Sequence, residues 1–275
     1  MLNLEELLAP IEGDLPAGPE LRSSAEYAQV EGAFRTADML PAVTTSDGDA
    51  GNGGDFEAVI DPALDFLRTQ SKDLSVAAYL TAALMREEGF AGLADGLELL
   101  HGLLDRFWDG VHPGVESRAA VLEWMGSDDV AYAIRLMPMT EFDSTLRYPE
   151  YETWAKAQAE GEDGSGKDEE GGEGFGSAFA QTPREWYVEL VTDLNRCTVN
   201  LQALVQLGEE KFKDTGTRPP RLKAMGEELK KVKWAADDLL SRKPGPPVPT
   251  TPDPLPTDSP GESVGPRREG GPVQG

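Results

Sequence analysis

Residues 71–113 contain two consecutive apolar segments that predict a pair of packed helices. Asp73 is a suitable N-cap for the first helix. Residues Val76 to Met85 are apolar almost all round, apart from Thr81, which predicts a helix buried on most sides. Gly89 is placed to end this helix, because glycine adopts the left-handed C′ conformation without strain. Such a pair is a core element, and nothing in it indicates chemistry.

The second helix is predicted to begin near Ala91 and to be stopped by Pro113. One face carries an apolar stripe of Leu93, Leu97, Leu100, Leu104 and Phe107. Off this stripe lie the charged residues Asp95, Glu98, Asp105 and Arg106. Gly92 and Gly96 are one turn apart, so another helix could approach closely there. Phe107 and Trp108 fit a core or a partner-binding cluster, and the stripe favours the core.

The charge of the 275-residue chain limits its partners, since 25 basic and 50 acidic residues give a net charge of -25. An acidic surface repels nucleic acid and anionic membranes, which favours basic protein partners. No apolar run is long enough for a membrane helix, and the first residues do not resemble a signal peptide. A cytoplasmic location is therefore expected. The single Cys197 excludes an internal disulfide and fits a reducing compartment.

The rest of the first half predicts further helices separated by loops. Helical patterns cover residues 2–8, 25–34, 56–67, 119–124 and 130–136. Glycine and proline predict a turn segment at 13–22 and a flexible loop at 41–54. Residues 138–154 fit either a short extended pair or a loop.

The C-terminal part predicts a helical hairpin between two irregular segments. The acidic, glycine-rich residues around 157–181 predict a disordered insertion. Thr182 to Glu185 has the form of a capping box, and 3-4 apolar spacing through 182–243 predicts an antiparallel hairpin that packs on the first helices. Residues 244–275 form a Pro/Gly-rich tail without a core pattern. The predicted fold is all-α: one multi-helix domain at 1–243 and a disordered tail.

No catalytic, cofactor-binding or metal site is predicted. Gly161 to Asp168 nearly spells a phosphate-binding loop, but Asp168 replaces the required Ser or Thr. Asp47, Asp49 and Asp55 suggest a calcium loop whose spacing fails at the invariant glycine and the bidentate glutamate.

The remaining candidates have ordinary explanations. His101 and His112, which are the only histidines, lack metal-ligand spacing, so structural roles are favoured. Cys197 lies on a helix seam, where a thiol behaves as a small hydrophobe. An enzyme with a site around these three residues stays an alternative. Another is a general helical adaptor, and the basic residues Lys223, Lys230, Lys231 and Lys233 form either a solvated face or a docking surface.

Several blocks resemble one known family. The segment from Ser71 to Pro113, with its KDL and GLADGL-to-WDGVHP motifs, looks like the hallmark of the TssA/ImpA N-terminal domain of bacterial type VI secretion systems. The opening LLAPIEGDLPAGPELR, the block SRAAVLEWM with VAYAIRLMPMT, and the final helix pair agree with it. The similarity covers most of 1–243.

This resemblance implies an all-α, non-enzymatic scaffold or adaptor. Members of the family act in the cytoplasm and bind baseplate, sheath or tube proteins, so such partners and self-association are expected. Family members that form rings use a further C-terminal domain, where this chain has its Pro-rich tail. The expectation is therefore a chain without the ring-forming domain, as a short variant or a fragment. The family supplies no catalytic residues.

Overall fold

The computed structural model describes residues 2–39, 55–160 and 170–245, in which the chain forms eleven α-helices and no extended strand. The all-α prediction is confirmed. The helices are α1 Leu4–Leu7, α2 Ala25–Met39, α3 Glu57–Thr69, α4 Leu74–Glu87, α5 Gly89–Phe107, α6 Val115–Met125, α7 Asp128–Arg135, α8 Tyr148–Glu160, α9 Glu170–Gln181, α10 Arg184–Phe212 and α11 Lys223–Arg242.

Packing divides the chain into a unit of Met1–Pro244 and a unit of Gly245–Gly275. The predicted loop at 41–54, the phosphate-loop-like run and the tail from residue 246 lie outside the described residues. Within the described ranges, no helix is both long and apolar enough to cross a membrane.

Helices α4 and α5 form the close pair that the sequence predicts. The carboxylate of Asp73 accepts hydrogen bonds from the backbone N–H groups of Ser75 and Val76, so it caps α4. Gly89 then has a φ of +63°, the conformation expected of a C′ glycine. A Cβ added to Gly96 would lie 2.4 Å from Thr81 Cγ2, so the two helices touch at a position where only glycine fits.

Helix α5 is the centre of the bundle, with α4 on one side and α10 on the other. Its stripe is fully buried at Leu93, Leu97, Leu100 and Leu104. The helix ends at Phe107 and does not continue to Pro113, because the N–H groups of Gly110 and Val111 turn back to the Phe107 carbonyl. The Trp108 ring packs edge-on against Phe212, at 5.1 Å between centroids, which confirms a core role.

The hairpin of α10 and α11 is also as predicted. Helix α10 packs against α5, and α11 packs against α10 and α7. The predicted capping box is wrong, because Pro183 is the N-cap residue and makes no side-chain bond to the helix. The Thr182 hydroxyl instead donates to the Ala178 carbonyl and accepts from the N–H groups of Glu141 and Phe142. It thereby holds the loop between α7 and α8 against the end of α9.

Two predictions for the region between α7 and α10 need correction. Helix α8 begins at Tyr148, so the second half of the 138–154 segment is helical and not extended. The predicted disorder at 157–181 is wrong for 157–160 and 170–181, which belong to α8 and α9. Phe175 explains the difference, because it is fully buried and its ring lies 5.4 Å from that of Trp154 in α8. Two aromatic rings thus provide the contacts that the glycine-rich composition does not indicate.

Candidate functional site

The segments that carry the family resemblance meet at one place, which we call the signature junction: residues 15–20, 70–74 and 107–118. The backbone N–H of Lys72 donates to the Ala17 carbonyl at 2.7 Å. The N–H of His112 donates to the Lys72 carbonyl at 2.9 Å, and the N–H of Leu74 donates to the His112 carbonyl at 2.8 Å. Three segments that are distant in sequence are therefore joined by main-chain hydrogen bonds.

Gly18 allows the first of these segments to approach closely. Its φ is +74°, and a Cβ there would lie 2.3 Å from the Gln70 carbonyl oxygen. The Ser71 hydroxyl donates to the Pro19 carbonyl at 2.6 Å, and His112 Nε2 lies 3.1 Å from the Gly18 carbonyl oxygen. The peptide bond between His112 and Pro113 is cis. The glycine in LPAGPELR is thus required by contact with the segment that opens α4.

Lys72 is a buried cation held by backbone carbonyl groups. Its side chain is 0% exposed, and Nζ donates to the carbonyls of Leu7 and Leu67, each at 2.7 Å. These carbonyls belong to the last turns of α1 and α3, where helices have unsatisfied acceptors and a negative dipole end. The burial lowers the pKa of Lys72 to about 8. The lysine therefore joins the ends of two helices.

Arg118 has the same role at the end of α5. Its guanidinium donates to the carbonyls of Pro113 and Trp108 at 2.6 Å and of Val111 at 2.5 Å. The guanidinium carbon also lies 5.0 Å from the centre of the Trp108 ring. Burial lowers the pKa of Arg118, and the nearby charge of Asp109 opposes this shift. One side chain thus fixes the whole turn that follows α5.

A cleft of about 370 Å³ opens beside the junction, between the loops at 15–20 and 109–114. Leu15 lies on its rim and is 59% exposed. Glu20 and Asp109 also line the cleft and are exposed. An apolar side chain with carboxylates beside it suits contact with a basic or amide-rich protein surface.

The predicted enzyme candidates do not come together. The Cys197 thiol is buried in α10 and donates to the Phe90 carbonyl, and burial raises the pKa of this thiol. His101 lies about three turns further along α5, roughly 16 Å from Phe90 at about 1.5 Å per residue. His112 belongs to the signature junction. A nucleophile needs a base within hydrogen-bonding reach, and these positions do not provide one.

The remaining candidates from the sequence, Asp55 and most lysines of α11, have local structural contacts. Asp55 accepts from the N–H of Ala58 at the start of α3. Three of the four lysines of α11 form ion pairs within that helix, namely Lys223 with Glu227, Lys231 with Glu228 and Lys233 with Asp237. Among the described residues, no group of three or more His, Cys, Asp or Glu side chains could hold a metal ion.

Sequence reasoning missed the contacts of Lys72, Arg118 and Asp95. Asp95 is 3% exposed on α5, where it forms an ion pair with Arg196 of α10 and accepts from the Leu2 N–H. The available signal was a charged residue inside or next to an apolar helical pattern. Such a residue is buried only when a partner covers it, and periodicity does not identify the partner.

Comparisons with known proteins give the same family as the sequence motifs. Residues 8–127 match the family described as ImpA, N-terminal, type VI secretion system. The chain is 34% identical over 113 residues to a type VI secretion system component TssA1 of Pseudomonas aeruginosa, a match that covers 41% of this chain and 32% of the relative. The chain thus spans about a third of that relative's length.

A solved structure matches more of the chain. It is the N-terminal domain, including the conserved ImpA_N region, of the TssA component of the type VI secretion system from Burkholderia cenocepacia. The two share 27% identity at a TM-score of 0.69, over 87% of this chain and 94% of the other. Over residues 8–127 the chain therefore resembles the ImpA N-terminal family of type VI secretion systems, and its fold resembles that of a TssA N-terminal domain.

Proposed function

We propose that this chain is a non-catalytic scaffold or adaptor that acts in the cytoplasm. In this proposal it binds baseplate, sheath or tube proteins of a type VI secretion apparatus during assembly. The observation that carries the proposal is that charged residues of the signature junction have structural roles. The Lys72 and Arg118 side chains hold backbone carbonyls, which supports an architectural role for the motifs.

The cleft beside the signature junction is the proposed partner surface. It is formed by the most family-specific segments, and its rim combines exposed Leu15 with the carboxylates of Glu20 and Asp109. The chain's net charge of -25 would favour the approach of a basic partner. A rim of this kind affects both association rate and orientation, because opposite charges steer the encounter.

A pull-down of the tagged full chain tests the proposal. Wild-type protein should recover baseplate, sheath or tube proteins, identified by mass spectrometry. The double variant Glu20→Lys/Asp109→Lys should lose them. The variant Glu189→Lys/Glu209→Lys, which changes exposed residues of α10 and alters the net charge equally, should retain them. Equal recovery by both variants would remove the cleft from the proposal.

Deletion of the gene tests the role in assembly. Cells without the chain should show fewer assembled sheaths by fluorescence microscopy, and the wild-type chain should restore them. Cys197→Ala and His101→Ala should also restore assembly if their folding is intact, since the scaffold role needs neither side chain. Normal sheath assembly in the deletion strain would contradict the proposal.

Self-association is also proposed, and it is open to a direct measurement. Light scattering of the purified full chain at several concentrations should show a mass above that of the 29.7 kDa monomer. A constant monomer mass would restrict the chain to contacts with other proteins.

A further inference from the structure

An open groove lies where α2, α4 and α6 meet, away from the signature junction's cleft. We call it the aromatic groove. It encloses about 450 Å³, and its lining includes Arg22, Phe34, Arg35, Tyr79, Ala120 and Trp124. The enzyme candidates and the residues of the proposed partner cleft do not contribute to it.

Three aromatic rings form the apolar part of the groove. Phe34 stacks on Tyr79 at 4.7 Å between centroids, and the Trp124 ring meets Phe34 edge-on at 5.6 Å. Tyr79 and Trp124 are only half-buried, and Ala120 beside them is exposed. The rings therefore hold one another in fixed positions while part of their surface stays open to a partner. Rigid aromatic side chains of this kind are frequent energetic centres of protein interfaces.

The charges around the groove are opposite to those of the chain as a whole. Arg22 and Arg35 both line it, in a protein whose net charge is -25. Arg22 Nη2 donates to the Tyr27 and Ser75 hydroxyls, and the buried Asp73 carboxylate is near enough to interact with its charge. Arg35 pairs with Glu31 at 2.9 Å on α2, and its side chain is 70% exposed. The groove thus combines an apolar floor with guanidinium groups that suit carboxylates.

The positions of the two arginines suggest the size of the occupant. Arg22 precedes α2, and Arg35 lies near its other end. From Ala25 to Arg35 the helix rises by about 15 Å at about 1.5 Å per residue. A helix of roughly ten residues spans this distance, which allows a carboxylate near each end of its apolar face to reach one arginine.

We propose that the aromatic groove binds an acidic amphipathic helix of a partner protein. Apolar side chains of that helix contact Tyr79 and Trp124, and its acidic residues pair with Arg22 and Arg35. The inference does not depend on the proposed partner cleft, since the two surfaces share no residue.

Selection of peptides on the immobilised full chain tests this inference. A displayed library of random 14-residue peptides should yield sequences with net negative charge and an apolar helical stripe. Their Kd, measured by fluorescence anisotropy, should rise at least tenfold for Arg35→Glu and for Ala120→Glu. The first variant reverses the charge at the rim, and the second places a carboxylate on an exposed wall position.

Lys223→Glu is the matched control, because Lys223 is also exposed and also forms an ion pair with a glutamate one helical turn away. Its Kd should equal that of the wild type, and thermal melting should show that all three variants fold. The proposal is overturned by failure to select peptides, by selection of neutral or basic peptides, or by peptides indifferent to both groove variants. It is also overturned if the chain dimerises and Ala120→Glu makes it monomeric, since a second copy would then be the occupant.

Discussion

The signature junction and the α10–α11 hairpin are stabilised in different ways. The hairpin is held by an apolar seam, in which Leu201 of α10 lies beside Gly226 of α11 and Leu229 and Leu239 of α11 are buried. Its pairs Lys223–Glu227 and Lys233–Asp237 lie at the surface. At the junction, the cationic side chains of Lys72 and Arg118 bind backbone carbonyls at or just beyond helix ends. The difference shows that the apolar faces of regular helices are enough to pack them together. Helix ends that converge also need polar side chains as partners for their unpaired backbone groups.

Leu97→Ala should have the largest effect, since α5 contacts both regions and Leu97 is 0% exposed. Deletion of its buried methyl groups leaves a cavity and should lower the free energy of unfolding by about 2–5 kcal/mol. Chemical denaturation followed by circular dichroism measures this loss. An unchanged denaturation midpoint would show that α5 does not connect the two regions energetically.

Arg118→Ala should break the junction and leave the hairpin seam intact. The substitution removes three charge-assisted hydrogen bonds and leaves buried carbonyls without partners, so a loss of about 3 kcal/mol is expected. Arg118→Lys should lose less, because it keeps the charge but not the planar fork. Amide hydrogen exchange should increase at residues 107–118 before it increases in α11. A uniform increase along the chain would contradict the comparison.

The pH dependence of stability should identify Lys72. Its pKa is lowered from 10.5 to about 8 in the folded protein, so the unfolded chain binds more protons between these values. The free energy of unfolding should therefore rise with pH across this window, by at most about 1.4 kcal/mol per pH unit. Burial of the Cys197 thiol has the opposite effect, because its pKa is raised in the folded state.

The Lys72→Met variant separates the two contributions. It retains Cys197 but lacks the titrating ammonium, so the difference in unfolding free energy between wild type and variant should grow from pH 8 to pH 10. Denaturation curves at matched ionic strength measure it. Parallel pH profiles would show that the lysine is not held in a lowered-pKa state.

Lys223→Ala should have the smallest effect. Its ion pair with Glu227 is exposed at both side chains, and exposed pairs contribute about 0.2–1 kcal/mol. The melting temperature should change very little. The change should be smaller still in high salt, because salt screens the ion pair. A loss as large as that of Arg118→Ala would show that surface charges also hold the hairpin.

The sequence by itself determined the helical elements and the family resemblance. The apolar spacing in α4, α5, α10 and α11 identified their buried faces, because one face of a regular helix repeats at a fixed interval. Gly89 and Asp73 marked helix ends, because capping depends on residues close in sequence, and the motifs at 71–113 indicated the family whose model matches residues 8–127.

Only the tertiary structure decided the interactions between segments that are distant in sequence. The carbonyl partners of Lys72, the burial of Asp95 by α10, and the packing of Phe175 on Trp154 all depend on such contacts. The aromatic groove has the same origin, since α2, α4 and α6 each contribute a ring that is unremarkable in its own segment. Local periodicity indicates which face of a helix is apolar. Which neighbours cover that face depends on the path of the whole chain.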